Sequence, residues 1–224
     1  KCFEQALSID SNNNLFWSNF SKNLRNIEFL EFNNSTASFL LKALNKPTVQ
    51  PNDLSKPITS ILRHNPTFLM VFDAYKSSNV NEQLNHLTEQ LSTIPLLLQL
   101  MELCSIPDTE VEKLLTQIRL CALNQVSDEH ITSSSLPFYE ALALHCFTNE
   151  YVFMESNEET IKVDNLENEI SMHISSKELI PILKITVLAA YRPLHLFSWA
   201  DQLLQSDSTD KIQRILTTQI TEVR

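Results

Sequence analysis

The 224-residue chain contains no glycine, whereas a typical chain of this length, at about 7% glycine, would contain roughly sixteen. Phosphate-binding loops, dinucleotide fingerprints and nucleophile elbows need glycine where the backbone turns at positive φ or approaches a ligand closely, so the composition excludes them. Tight β-hairpin turns also depend mainly on glycine. The composition therefore predicts an all-α fold with no sheet.

The charge balance limits the partners. The chain has 17 basic and 27 acidic residues, a formal net charge of -10, which argues against nucleic acid, because nucleic-acid binding relies on basic groups that neutralise phosphates. The longest nearly uncharged apolar run, residues 94–101, is far shorter than the roughly twenty residues of a membrane-spanning helix. Neither nucleic acid nor a membrane is predicted as a partner.

The cysteines indicate a reducing compartment. Cys2, Cys104, Cys121 and Cys146 form no C-x-x-C pair and lie in apolar helical patterns, which is typical of buried free thiols in the cytoplasm. The chain opens at Lys1 within a helical pattern rather than at an initiator methionine. We therefore expect it to be a piece of a longer protein.

Polar caps and prolines predict about thirteen amphipathic helices, arranged as a multi-helix bundle or an α-solenoid-like array. The predicted caps, in chain order, are Ser35, Asn52 or Asp53, Asp108, and Ser175 with Glu178 as a capping box. Prolines suited to a first helical turn are Pro51, Pro66, Pro95, Pro137 and Pro193. Residues 151–153 are interpreted as the end of the helix that starts near Pro137, and the polar residues 127–135 as a possible subdivision.

The first 33 residues have the spacing of a helical repeat. Trp17, Phe20, Ser21 and Leu24 occupy the positions of the W-x2-L-G-x2-Y pattern of tetratricopeptide repeats, with serine in place of glycine and leucine in place of tyrosine. Residues 2–10 resemble the second helix of a preceding repeat. We predict that residues 1–33 end a repeat array, since one and a half repeats cannot bury their own apolar faces.

A second, more specific resemblance begins further along the chain. Its strongest part is residues 141–153, ALALHCFTNEYVF, and a weaker part is residues 191–194, YRPL, followed by Trp199. These segments resemble the helical region of bacterial tetratricopeptide-repeat methyltransferases, which lies between the repeats and an S-adenosylmethionine-dependent catalytic domain. The resemblance extends loosely from about residue 40 to residue 224.

The resemblance implies a location in a larger enzyme. Residues 34–224 would be a helical connector domain, and residues 221–224 would lead into a catalytic domain that binds S-adenosylmethionine. The resemblance carries over no catalytic, cofactor-binding or metal-binding residue to this chain. The implied partners are the chain's own catalytic domain and a protein or glycan substrate; the methyl acceptor and the oligomeric state stay open.

The segment around His145 can also be interpreted from its residue types and their spacing alone. On a helix, His145 and Asn149 share one face, Cys146 and Glu150 share the next, and Tyr151 closes the turn. This cluster favours a hydrogen-bonded structural plug; a contact with a partner or another domain and a metal site are the alternatives. A zinc site would need further ligands at a recognisable spacing, and no second His or Cys lies nearby.

A cysteine hydrolase is the sharpest enzymatic alternative. Cys146 would act with His145, His173 or His195. Adjacent residues on a helix point about 100° apart, so His145 is badly placed to activate Cys146. A core thiol is the favoured interpretation.

The segment from Tyr191 to Trp199 predicts a helix end followed by a helix that starts at Pro193. Arg192 either lies exposed at this corner or pairs with a buried carboxylate such as Glu150. The acidic residues between positions 155 and 169 are interpreted as a solvated helix face rather than a cation site.

Two hypotheses for function follow. The first is a non-catalytic connector that positions a substrate for a tethered methyltransferase domain. The second is a free-standing helical scaffold that binds a partner peptide or helix, and its acidic charge would favour a basic partner.

Overall fold

The structure, a computed structural model, describes residues 13–77, 80–126, 132–176, 178, 180–205 and 214–219. Within these ranges the chain is helical and has no strand, which confirms the predicted all-α class. The α-helices are α1 Asn14–Leu24, α2 Asn34–Leu44, α3 Pro51–Leu62, α4 Pro66–Ser77, α5 Val80–Ser92, α6 Pro95–Leu103, α7 Thr109–Gln125, α8 Leu136–Thr148, α9 Asn157–Ser176, α10 Ile182–Ala189 and α11 Ala200–Gln205. Two 3-10 helices, Ser133–Ser135 and Leu194–Leu196, and a helical segment at residues 214–219 complete the described elements.

Asparagine, aspartate and proline begin several of these helices. The Asn13 side chain accepts a hydrogen bond from a backbone N–H of α1, and Asn33 does the same for α2. The cap of α2 is therefore Asn33, two residues before the predicted Ser35: Asn33 has the extended backbone of a cap and accepts the Thr36 N–H, whereas Ser35 is already inside the helix. Asp108 caps α7 as predicted, and Pro51 and Pro95 occupy first-turn positions of α3 and α6.

The capping box lies elsewhere than predicted. Ser175 is in the last turn of α9, so the predicted box between Ser175 and Glu178 is wrong. Instead, the Ser156 N–H donates to Glu159 Oε2 at 2.9 Å, and the Glu159 N–H donates to Ser156 Oγ at 3.2 Å. Ser156 and Ser175 each have a glutamate three positions later, so the sequence pattern alone does not distinguish them. Only Ser156 precedes the start of α9, whereas Ser175 lies inside its last turn.

The helices pack as a bundle around α8. Residues 138–146 of α8 are all buried, and the helix contacts α5, α6 and α10. In a solenoid each helix pair contacts only the adjacent pairs, whereas α2 contacts α6, four helices further along the chain, and α8 contacts α5 as well as α6 and α10. The described helices therefore form a bundle with a central helix, and a single buried cluster extends from Trp17 to Leu216.

The N-terminal part of that cluster is aromatic. Trp17 and Phe20 of α1 pack against Phe39 of α2 with ring-centroid distances of 5.2 and 4.8 Å, and Ser21 is buried at the small-residue position. These contacts place the aromatic residues of the repeat pattern in the core. The helix predicted at residues 2–10, most of the 127–135 subdivision and the exit at residues 221–224 lie outside the described residues, so the repeat, the domain boundaries and the count of thirteen stay predictions.

Asp108 joins the start of α7 to the end of α3. Its Oδ2 and Oδ1 accept hydrogen bonds from Arg63 Nε at 2.8 Å and Nη2 at 2.6 Å, while Oδ1 also caps α7. Burial opposes ionisation of this carboxyl, but the Arg63 guanidinium and the backbone N–H groups of α7 together lower its pKa. The charged carboxylate is therefore the form that stabilises this junction.

We expect Asp108→Asn to lower the free energy of unfolding at pH 7 by about 1–2 kcal/mol, since it removes two charge-assisted hydrogen bonds but keeps a capping oxygen. Because the pKa of Asp108 is lowered on folding, its contribution is present above its unfolded pKa and is lost as the pH falls through the folded value. Urea unfolding of both proteins between pH 7 and pH 2 measures this. The control is Glu110→Gln, in the exposed pair with Lys113, which should leave stability at pH 7 nearly unchanged; an equal loss in both variants would contradict the prediction.

Candidate functional site

The candidate site is built around the C-terminal end of α8. Both nitrogens of the His145 ring have partners: Nδ1 donates to the Met101 carbonyl at 3.2 Å, and Nε2 lies 3.0 Å from both Glu112 Oε1 and Asn149 Nδ2. A neutral ring accepts the Asn149 proton, and a protonated ring donates to Glu112. The buried imidazole thus links α6, α7 and α8, as a structural plug would.

Asn149 extends this network. It is the C-cap of α8, and its Oδ1 accepts a hydrogen bond from Ser105 Oγ at 2.6 Å. The predicted contact between His145 and Asn149 on one helix face is therefore present. Ser105, in the connection between α6 and α7, is a partner that spacing within α8 could not predict.

Cys146 lies beside Arg119. Its Sγ lies 4.0 Å from Arg119 Nη1, and burial raises the pKa of the thiol to about 11. A protonated thiol is a poor nucleophile at neutral pH. The other two candidate bases are placed elsewhere: His173 Nδ1 donates to the Glu169 carbonyl, and the His195 ring packs edge-on against Phe147. The arrangement around Cys146 is that of a core residue.

Glu150 and Tyr151 lie beyond the helix, not on it. α8 ends at Thr148, and both residues adopt left-handed backbone conformations, with φ of 53° and 54°. The Tyr151 N–H donates to the Cys146 carbonyl and the Glu150 N–H to the Phe147 carbonyl, both at 2.9 Å. This is a Schellman motif, in which glycine is the usual residue at the position of Glu150.

The interpretation of residues 151–153 as the end of the Pro137 helix is therefore wrong. The helix stops early because its last carbonyls are satisfied by the Schellman turn, which turns the chain back along the bundle. The turn directs the Tyr151 hydroxyl to the Ala189 carbonyl of α10, at 3.0 Å. The predicted pairing of Cys146 and Glu150 on one helix face does not occur.

Because Glu150 is exposed and occupies a position that favours glycine, we expect Glu150→Gly to raise the free energy of unfolding by up to about 1 kcal/mol. Glu150→Ala is the matched control and should give little change, since alanine has the same steric conflict at positive φ. Thermal unfolding should show an increase of about 2–4 °C per kcal/mol for a domain of this size. A gain of equal size in both variants would show that the glutamate charge, not the backbone, is responsible.

Arg119 is a buried residue that the sequence analysis missed. Its guanidinium carbon lies 3.4 Å from the Phe153 ring centroid and 4.8 Å from that of Tyr191. Arg119 follows Leu115 by four positions and precedes Ala122 by three, so it lies on the apolar face of α7. A charged residue on that face was the signal that could have identified it.

Arg192 binds a carboxylate, but not the one suggested by the sequence. Its Nη1 and Nη2 donate to the two carboxyl oxygens of Glu155 at 2.7 and 2.8 Å, so the suggested partner Glu150 is wrong. These hydrogen bonds from Arg192 lower the pKa of Glu155. The neighbouring Tyr191 hydroxyl donates to Glu159 Oε1 at 3.2 Å. Two acids at the start of the acidic segment therefore face inward rather than forming a solvated face.

The corner after α10 differs from the predicted α-helix start. Pro193 precedes a 3-10 helix, Leu194–Leu196, and Trp199 is buried with its ring stacked on Phe197 at 4.6 Å. Proline sets φ but does not by itself extend a helix.

The last described segment is attached to the same region. Arg214 Nη1 donates to Glu140 Oε1 at 2.8 Å, and Nη2 forms a charged hydrogen bond with Glu102. Gln219, fully buried, donates to the Tyr151 hydroxyl and accepts from the His195 N–H, both at 3.3 Å. Residues 214–219 are thereby bound to α6, to α8 and to the turn after it.

No protein-family model matches the chain, and no match was found among curated proteins or solved structures. In the part of the chain that the structure describes, no group of three or more His, Cys, Asp and Glu residues is arranged to hold a metal ion. None of the described helices is both long enough and apolar enough to cross a membrane.

Proposed function

We propose that this chain is a non-catalytic helical module that holds the parts of a longer protein in a fixed relation, in the manner of the connector of tetratricopeptide-repeat methyltransferases. The observation that carries the proposal is the attachment of residues 214–219 to α6 and α8 through Arg214, whose guanidinium bonds Glu102 and Glu140. The attachment lies on the helix that also contains most of the resemblance segment, residues 141–153.

The proposed mechanism is placement. A protein or glycan substrate held by repeats on the N-terminal side has a high effective concentration at an S-adenosylmethionine-dependent domain tethered on the C-terminal side. Which substrate sites can be reached depends on the stiffness of the connector. The continuous buried cluster from Trp17 to Leu216 supports a stiff one.

The chemistry of the site supports placement rather than catalysis within this chain. Burial raises the pKa of the Cys104 and Cys146 thiols to about 11, which keeps both protonated at neutral pH. Together with the free, buried Cys121, they support our assignment of the protein to the cytoplasm, where thiols stay reduced.

The gene tests the proposal first. We expect the reading frame after the codon for Arg224 to encode a strand and a glycine-rich turn within about a hundred residues, as an S-adenosylmethionine-binding domain requires. A stop codon directly after Arg224, or a domain of another kind, would contradict the connector function.

The parent protein tests the mechanism. Labelled methyl groups from S-adenosylmethionine are followed into the protein and glycan fractions of the cell of origin. We expect Arg214→Ala to lower the methyl-transfer rate at limiting substrate about tenfold through lost positioning, with unchanged S-adenosylmethionine affinity. Lys113→Ala, which breaks only the exposed pair with Glu110, is the control. Equal rates for the two variants would contradict the mechanism.

One observation favours the second candidate, a free-standing interaction scaffold. Val152 and Met154 are 82% and 94% exposed and lie two positions apart in the sequence after α8, and exposed apolar patches mark interaction sites. If the gene ends without a catalytic domain, we expect this chain to capture a specific basic partner. Val152→Ser with Met154→Ser should abolish the capture, while Leu30→Ser, at an exposed apolar residue elsewhere, should not.

A further inference from the structure

Two side chains compete for the same nitrogen of the buried His145 ring. Nε2 lies 3.0 Å from Glu112 Oε1 and 3.0 Å from Asn149 Nδ2. A carboxylate oxygen only accepts hydrogen bonds, whereas the amide nitrogen of asparagine only donates them. The contact with Glu112 therefore needs a proton on Nε2, and the contact with Asn149 needs a lone pair there.

The other ring nitrogen has the same role in both cases. Nδ1 of His145 faces the Met101 carbonyl at 3.2 Å, and a carbonyl oxygen only accepts, so Nδ1 carries a proton whether the ring is neutral or charged. In the neutral ring Nε2 accepts from Asn149. In the charged ring both nitrogens donate, and Nε2 donates to Glu112.

The Asn149 amide can satisfy its hydrogen bonds in either state. Ser105 Oγ donates to Asn149 Oδ1 at 2.6 Å, which turns Nδ2 toward the imidazole. A hydroxyl can also accept a hydrogen bond. When the ring is charged, rotation of the amide by half a turn brings Oδ1 to the imidazole N–H and Nδ2 to Ser105 Oγ. The two protonation states of the ring thus correspond to two orientations of one amide.

The charged and titratable groups nearest to the ring belong to α7 and α8. Glu112 and Arg119 of α7 line the cleft beside it, together with Cys146 of α8. The Arg119 guanidinium lies against the Tyr191 ring and interacts with its hydroxyl. Burial raises the pKa of the Cys146 thiol to about 11 and so keeps it neutral. Glu112 is therefore the charged group in direct contact with Nε2.

Charged residues on the other helices packed against α8 have partners of their own. The Glu102 carboxylate of α6 bonds Arg214, and Lys184 of α10 bonds Glu169 of α9. Glu89 of α5 accepts a hydrogen bond from the 3-10 helix that precedes α8, at the opposite end of that helix. Within the described residues, the protonation of the imidazole is thus governed mainly by its two direct partners.

We propose that His145 is a pH-sensitive switch, in which a proton gained at Nε2 moves the hydrogen bond of this nitrogen from Asn149 to Glu112. The proton comes from solvent past Glu112, whose side chain is 37% exposed, whereas that of His145 is 3% exposed. The charged ring bonds α8 to α7, and the neutral ring bonds the C-cap of its own helix. The switch is independent of the proposed connector function.

Nitrogen-15 nuclear magnetic resonance of the full chain tests the switch between pH 5 and pH 9, the range in which an imidazole changes its charge. The ring signals are assigned by their absence from the spectrum of His145→Leu. We expect Nδ1 to carry a proton throughout, Nε2 to gain one as the pH falls, and the Asn149 side-chain amide to shift with the same midpoint. A ring that keeps one protonation state, a neutral form with its proton on Nε2, or an Asn149 amide that does not follow would each overturn the proposal.

Removal of each competitor should move the titration midpoint in opposite directions. Glu112→Gln takes away the acceptor of the charged ring and should lower the midpoint by about one pH unit, a tenfold weaker hold on the proton. Asn149→Ala takes away the donor to the neutral ring and should raise the midpoint. Glu110→Gln, in the exposed pair with Lys113 on the same helix, is the matched control and should leave it unchanged. Equal shifts for the two glutamate variants would refute the switch.

Urea unfolding shows whether the switch changes the hold between α7 and α8. Glu112→Gln should lower the urea midpoint more at pH 5.5 than at pH 8, because only the charged ring donates to Glu112. Glu110→Gln should have the same small effect at both pH values. An equal or larger loss at pH 8 for Glu112→Gln would overturn the proposal, even if Asn149→Ala did not fold.

Discussion

Arg214→Ala should lower the free energy of unfolding by about 2–3 kcal/mol at pH 7. The substitution removes the guanidinium from beside Glu140, which is only 5% exposed, and from Glu102. Losing one partner of a buried ion pair typically costs 3–5 kcal/mol; we expect less because Arg214 itself is half exposed and water screens part of the interaction. Urea unfolding of both proteins at pH 7 measures the loss.

Glu140→Gln provides the matched control for this prediction. In the Arg214→Ala background it removes a buried charge that Arg214 no longer compensates, so we expect it to restore part of the lost stability. In the otherwise unchanged chain it should be destabilising. If the decreases in the free energy of unfolding caused by the two single substitutions simply add in the double variant, Arg214 and Glu140 act independently. That result would contradict a stabilising ion pair between them.

The effect of Arg214→Ala should also depend on pH. Burial raises the pKa of Glu102 despite the nearby Arg214, so the contribution of this group to stability is fully present below its unfolded pKa and is lost as the pH rises through the folded value. Without Arg214 the charged form of Glu102 is disfavoured further. The stability difference between the two proteins should therefore shrink as the pH is lowered from 7 to 5.

His145→Leu is expected to lower the free energy of unfolding by about 2–4 kcal/mol. The substitution introduces an apolar side chain of similar size, which removes the donor from the Met101 carbonyl and the ring nitrogen from Asn149 and Glu112. A buried polar group that loses its hydrogen-bond partner destabilises the protein by more than the net free energy that the hydrogen bond contributed. Urea unfolding at pH 7 measures the change.

Two comparisons make this second prediction specific. His64 is exposed, and His64→Leu should change stability by less than about 0.5 kcal/mol. A double-mutant cycle between His145→Leu and Asn149→Leu should give a coupling energy of about 1 kcal/mol or more. Equal effects of the two histidine substitutions, or no coupling, would contradict the role of His145 as the link between three helices.

Local signals accounted for the parts of the structure that depend on nearby residues. The absence of glycine predicted the helical class, Asp108 predicted the start of α7, and the spacing of His145 and Asn149 predicted their contact. The last two depend on geometry within about one helical turn. The same reasoning was wrong at Glu150, because it took the helix past Thr148, where the chain instead makes a Schellman turn without glycine.

The contacts that define the site depend on long separations, which spacing does not encode. Arg214 is 74 positions from Glu140 and 112 from Glu102. Arg192 could be predicted to seek a carboxylate, but the choice of Glu155 over Glu150 depends on how α8 ends. The only sequence signal for the burial of Arg119 was its position as a charged residue on the apolar face of α7.

A distance measurement between the two ends of the bundle tests directly whether this module is rigid. Spin labels are placed at Lys22→Cys in α1 and Thr217→Cys in the last described segment, both exposed positions. Cys2 is replaced by serine, and the other three thiols are buried. We predict one narrow distance distribution by pulsed electron paramagnetic resonance, and a broad one when Arg214→Ala is added. A distribution that is already broad with Arg214 in place would contradict a module that holds its ends in a fixed relation.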